Sequence, residues 1–156
     1  MVQTFSFQNQ FKVNIANDTY KSLSDSIIGI SLPSLTLGTI GQPTPIKPIF
    51  LPNEVIEFEN LTLTFLLDEN FGNWKQIFEW INYLKNFHTL DGHRLVTDIS
   101  INVLDNKLKY QFTIGLEDCF PVTLSELELS SQIIESEPVT FNSTFIVNNF
   151  YIDTNS

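Results

Sequence analysis

The sequence predicts a mainly β fold, an antiparallel sandwich or barrel with one flanking helix, and three observations carry that prediction. Apolar and polar residues alternate along several short segments, as they do in strands with one buried and one wet face. One stretch only, Trp74 to Leu84, changes to three- and four-residue spacing. At 156 residues the chain is long enough to bury a core without disulfide or metal, so residues 1–156 are read as a single domain.

The strands follow from the alternation. Phe11, Val13 and Ile15 alternate with Lys12, Asn14 and Ala16; Ile99, Ile101 and Val103 with Ser100 and Asn102; Leu108, Tyr110, Phe112 and Ile114 with Lys109, Gln111 and Thr113. The turn-rich Leu104-Asp105-Asn106-Lys107 predicts a hairpin between the last two. Leu127 and Leu129 alternate with Glu126 and Glu128 as a further strand, and Val139, Phe141, Ser143, Phe145 and Val147 form a long final one. Before the helix, Ile56 and Phe58 lie on one parity and Leu61, Leu63 and Phe65 on the other. A bulge or bend near Glu59-Asn60 is expected to keep both sets inward.

The helix is expected over about residues 71–86. Asn70 or Asn73 is positioned to cap it, and Asp68 and Glu69 lie near the positive end of its dipole. Trp74, Ile77, Phe78, Ile81 and Leu84 form the stripe expected to pack on the sheet. Trp80 lies off the centre of that stripe, which leaves it either core or a contact for a partner, a role in which Trp is enriched.

Between Pro33 and Pro52 the prolines 43, 45 and 48 and the glycines 38 and 41 predict an extended loop or protruding arm at about 38–53, because proline removes backbone donors. Its apolar residues need cover. Ile40, Pro43, Pro45, Ile46, Ile49 and Phe50 are therefore read either as a segment that docks on a neighbouring copy or as a loop folded back on its own domain.

Composition narrows the function. Eight Lys plus Arg stand against eighteen Asp plus Glu, a net charge of −10, and Arg94 is the one arginine, which argues against a phosphate-gripping surface. The single Cys119 has no partner for a disulfide and no CxxC spacing, which suits a reducing cytoplasm. The first residues lack the basic and apolar runs of a signal peptide, and no segment predicts a membrane span. Phosphate-loop, nucleophile-elbow and zinc-protease motifs are lacking. His88, Asp91 and His93 fall on a loop with Gly92 and no obvious fourth ligand, so they are read as surface rather than as a metal site. The neighbouring acids Asp68-Glu69 and Glu117-Asp118 point to opposite faces if they lie on strands, a poor arrangement for acid–base work. Neither an enzyme nor a bound cofactor is expected.

Two segments carry a resemblance. Asp68-Glu69, Asn73-Trp74 and the Phe78-Glu79-Trp80-Ile81 helix look like the "DE…NW…I..WI" element of tail tube proteins from contractile phage tails, with Leu32-Pro33 where that family has an early Leu-Pro turn. The run FTIGLEDCFPVTLSELELSS and the later VTFNSTFIVNNFYI are similar to the closing segment of the same family. The resemblance extends over about Phe11 to Tyr151. It implies a β-sandwich or barrel-like tube fold, six-membered rings with a continuous inner barrel, and stacking into a hollow tube inside a contractile sheath. It further implies sheath, baseplate and tail-terminator partners, assembly in the host cytoplasm, residence in the virion tail, and passage of phage DNA without specific binding. An acidic bore would repel phosphate during transit.

Tube subunit, tube-initiating baseplate protein and type VI secretion tube protein all fit this resemblance. The lumen-facing residues are expected among the polar strand positions Thr62, Thr64, Ser100 and Asn102. Two other classes stay open. A monomeric β-sandwich module would stack a ligand on Trp80, Tyr83 or Phe87, and a small enzyme would use His88 or clustered acids in a cleft.

Overall fold

The computed structural model describes residues 11–42, 49–86, 96–105, 107, 109–129, 131 and 138–154. Its strands are β1 (Phe11–Ile15), β2 (Ile27–Ser31), β3 (Leu35–Gln42), β4 (Ile49–Phe58), β5 (Leu61–Leu66), β6 (Thr97–Leu104), β7 (Tyr110–Leu124), β8 (Thr140–Ile146) and β9 (Asn149–Asp153). A 3₁₀ turn spans Lys21–Ser26, and the helix α1 spans Gly72–Leu84. The expected mainly antiparallel β fold with one principal helix is what the chain adopts.

β7 organises the body because it is fifteen residues long and serves two sheets. Its first part pairs with β6 and β9, and β6 pairs with β1. Its last part pairs with β8, followed by β5 and β2. The β6–β7 hairpin is the one the turn residues predict: Asp105 accepts the backbone N–H groups of Lys107 and Lys109 through Oδ1 at 2.8 and 2.9 Å. These bonds are the main reason its carboxyl is held below the usual range.

Both sheets turn their apolar parity into one core. Ile15, Ile99, Ile101, Ile114 and Leu116 come from the first sheet, and Leu61, Leu63, Phe65, Phe141 and Phe145 from the second. Phe65 and Phe141 are register partners and stack at 5.1 Å between ring centroids. Ser143 shares their inward parity and is fully buried, its hydroxyl donating to the Thr123 carbonyl at 2.8 Å. A buried hydroxyl costs little when its donor is satisfied in this way.

Three expectations need correction. The chain does not bulge within one strand at Glu59-Asn60: β4 ends at Phe58 and β5 begins at Leu61 in a different sheet. Ile56 is accordingly exposed rather than inward. The stretch from Ser125 to Leu129 forms no strand; Leu127 packs against the core while Leu129 is exposed. At the helix start neither Asn70 nor Asn73 is the N-cap, which is Phe71 in a left-handed conformation at φ 60°.

Those asparagines still satisfy the N-terminal amides and the approach to the helix. Asn70 Oδ1 accepts the Gly72 N–H at 3.0 Å, and Asp68 Oδ2 accepts that of Asn73 at 3.2 Å. The buried Asn73 side chain returns the contact, accepting the Asp68 N–H at 3.1 Å and donating to the Leu66 carbonyl at 2.6 Å. A Cβ at position 72 would stand 2.9 Å from Asn70 Oδ1, so glycine lets this clasp close.

Candidate assembly surface

The expected proline-rich arm is in larger part a two-stranded ribbon. Among the described residues β3 and β4 pair only with each other, through Leu35↔Phe58 and Leu37↔Ile56 near the base and Ile40↔Leu51 and Gln42↔Ile49 further out. The strands run through 38–42 and 49–53, which corrects the predicted loop boundaries. Pro43, Pro45 and Ile46 lie outside the described residues. Pro52 lies within β4 opposite Thr39, in a strand that pairs on one side among the described residues, and prolines 43, 45 and 48, which carried the loop reading, lie outside the described residues.

Burial in the ribbon is inverted relative to the body. Ile40, Ile49 and Phe50 are exposed, and so are Leu35, Leu37, Leu51, Val55 and Ile56, at 41–66% of their surface. The two faces share the apolar load. Leu51 lies opposite Ile40 on one face, whereas Phe50 lies on the other with its ring against Gly41. At the base the Glu59 N–H donates to the Ser34 carbonyl at 3.0 Å, and Phe58 meets Phe150 of β9 at 5.9 Å.

The helix distributes its apolar residues differently from the expected stripe. Ile77 is fully buried, and Trp74, Ile81 and Leu84 are partly buried against the core. Phe78 is 51% exposed and stacks on Trp74 at 5.6 Å, so it covers a neighbour on the same helix rather than the sheet. Trp80 takes the central place. It is fully buried, stacked on Tyr20 at 4.1 Å and edge-on to Phe145 at 5.6 Å. The contact role considered for Trp80 is therefore wrong, because its partner Tyr20, sixty residues earlier in the sequence, supplies the apolar wall that helical spacing alone does not reveal. Burial first, then the nearby Tyr83 and Glu79, pushes the Tyr20 phenol pKa up.

The outward faces of the two sheets differ in charge. On the β1-β6-β7-β9 face the row Lys12–Asn102–Thr113–Asp153 crosses four strands, with Asp98 and Glu117 on the same parity. Thr113 Oγ1 donates to Asn102 Oδ1 at 2.9 Å, and the Asn149 amide donates to Glu117 at 3.2 Å. On the β2-β5-β8-β7 face, the row Ser31–Thr62–Thr144–Thr123 crosses four strands with no charged side chain. A second row runs through Thr64, Asn142 and Ser125, joined by Thr64 Oγ1→Asn142 Oδ1 at 2.9 Å and Asn142 N→Ser125 Oγ at 2.8 Å. Thr62 and Thr64 thus belong to one face, Ser100 and Asn102 to the other.

Chemistry is sparse around these surfaces. A groove beside β1 is lined by Lys12, Lys21, Asp18 and Asp25 with Ser22, Ser24 and neighbouring amides, and contains neither His nor Cys. Cys119 is fully buried, its thiol pushed up to about 12 by burial first and by Asp98 and Asp118 next, so it is a poor nucleophile. His88, Asp91, His93 and Phe87 lie outside the described residues. Tyr83 is exposed on α1, but Trp80 does not join it in a stacking platform.

Sequence comparison finds no matching family model and no matching curated protein. Solved structures match across nearly the whole chain. A chain in the cryo-EM structure of the anti-feeding prophage cap, the AFP tube terminating cap, is 16% identical with a TM-score of 0.71, covering 99% of this chain and 95% of that one. A chain in the extended PVC sheath-tube complex of an extracellular contractile injection system is 14% identical with a TM-score of 0.71, at 99% and 95% coverage. Hcp1 from Flavobacterium johnsoniae is 14% identical with a TM-score of 0.52, at 94% and 96% coverage. The chain has the tail-tube fold, shared with tube-system proteins of contractile injection particles.

Proposed function

We propose that this chain is the repeated subunit of a hollow tube in a contractile, tail-like particle, closing into six-membered rings that stack within a sheath. The carrying observation is the β3–β4 ribbon, which exposes large apolar side chains on both faces. A two-stranded ribbon is marginal in water by itself, and an apolar surface on each side calls for cover on each side. Neighbouring copies supply that cover, with Ile40, Ile49 and Phe50 among the contacts and the adjoining Pro43, Pro45 and Ile46 extending them.

Ring closure also accounts for the open sheet edges. β2 and the last part of β7 bound the second sheet, and β2, β5, β8 and β7 alternate in direction. β7 of one copy and β2 of the next would therefore meet antiparallel around a rotation axis, turning two exposed edges into a ladder. The role is structural, with no reaction assigned.

Negative-stain electron microscopy of concentrated purified protein, with light scattering for mass, tests this reading. Rings with six-fold symmetry or hollow filaments are expected. A strict monomer at all concentrations would overturn the repeated-subunit reading and point to a tube initiator that joins only on its baseplate.

A further inference from the structure

We propose that the flank of α1 formed by Trp74, Phe78 and Ile81, with Lys75 and Lys85 at its rim, is the seat on which the β3–β4 ribbon of a second copy docks. The proposal rests on the tube reading and adds to it the surface that receives the ribbon. Trp74, Phe78, Ile81 and Lys85 recur at spacings of four, three and four residues, so they lie on one side of the helix, and Lys75 stands beside Phe78 one turn earlier. This is not the side that the body covers. Asn73, Ile77 and Trp80 are buried, whereas Trp74 and Ile81 are only partly so and Phe78 is half exposed. Both lysines are exposed.

The ribbon complements that seat. Its two strands carry Glu54 and Glu57 as their charges, both exposed, and no basic residue. Thr36 pairs with Glu57 and Ile40 with Leu51, and Thr36 and Ile40 share a parity along β3, so Glu57 stands on the ribbon face that presents Ile40, Leu51 and Ile49. An apolar patch with an acidic border thus matches an aromatic one with a basic border. Interfaces concentrate affinity on buried aromatic anchors and set partner and register through charges at the rim. Within one subunit the ribbon meets the body at its base, through Phe58 on Phe150 and the Glu59 N–H on the Ser34 carbonyl. Ribbon and seat are different patches of the same chain, so their contact is heterologous. Every copy offers one of each, and assembly continues until it closes or stacks.

Charge reversal in the full chain tests the pairing, with chemical denaturation confirming that each variant is folded. Lys75→Glu with Lys85→Glu, and separately Glu54→Lys with Glu57→Lys, are expected to raise the concentration needed for assembly by about tenfold or more in light scattering. The chain with all four substitutions, and an equimolar mixture of the two variants in which alternating copies offer opposite charges, are expected to assemble near the parent concentration. Lys107→Glu with Lys109→Glu makes the same change in net charge at the β6–β7 turn and is expected to assemble like the parent. Phe78→Ser is expected to stay folded and lose assembly.

Assembly of either reversed variant at the parent concentration, or a four-substituted chain that assembles no better than its parts, overturns the docking seat and leaves the tube reading standing. An equal loss from the Lys107 and Lys109 control traces the effect to net charge and overturns the pairing. Normal assembly of Phe78→Ser overturns the aromatic anchor. A parent chain that forms no assemblies overturns the tube reading and this proposal with it.

Discussion

The body and the ribbon are built from the same kinds of residue and put them to opposite use. In the body, alternation places Leu61, Leu63 and Phe65 wholly inside, against Phe141, Phe145 and Trp80. In the ribbon, eight large apolar residues remain exposed, because among the described residues no second layer covers them. An apolar side chain in the body stabilises the subunit, and one in the ribbon stabilises contact with something else. Substitutions should therefore separate folding from assembly.

The largest effect on folding is expected at Trp80. Trp80→Ala removes the ring stacked on Tyr20 and should cost about 3–5 kcal/mol by chemical denaturation. A loss near that of an exposed aromatic would break the contrast between the two regions. Alkaline pH probes the same core. The raised Cys119 pKa means the native state keeps a proton that the unfolded chain releases near 9.0, so this contribution is intact below pH 9 and is lost as pH rises towards about 12. Stability should fall by about 2–4 kcal/mol over that window, and Cys119→Val should flatten the fall; parallel curves would refute the linkage.

Asn73→Leu is expected to cost about 1–3 kcal/mol, since the Leu66 carbonyl and Asp68 amide lose their partner. A thermal melt unchanged by this substitution would show that water replaces the clasp. Phe78 is half exposed and stacks on Trp74, so Phe78→Ser should change stability by less than about 1 kcal/mol. The smallest folding effect belongs to the ribbon. Leu37→Asp with Ile40→Asp should leave denaturation within about 0.5 kcal/mol of the parent and abolish higher assemblies by light scattering. A large loss of subunit stability from that pair would mean that the ribbon is part of the core.

Local pattern was a good guide wherever local physics decided the outcome. The β6–β7 hairpin follows from Asp105 and its turn, the β8 strand from strict alternation, and the helix from its change of period. Phe78 and Trp80 show where pattern fails. Both lie on a helix with apolar residues on more than one side, and which of them goes inward depends on Tyr20, a residue from a distant turn. The ribbon shows a related limit: glycine and proline suggested an extended loop or arm over 38–53, and within the described residues 38–42 and 49–53 are paired strands, with Pro52 accommodated on an edge that has no further sheet neighbour among those residues.

By itself, then, the amino-acid order determined the strand parities of β1, β5, β6 and β8, the helix, the hairpin turn and the net acidity, since each depends on residues near one another in the chain or on a simple sum. Tertiary structure decided the division of β7 between two sheets, the central place of Trp80, the isolation of the ribbon and the separation of a charged sheet face from an uncharged one. Those outcomes depend on which distant segments come to pair, and pairing register assigns every polar side chain to a face only once the partner strand is known.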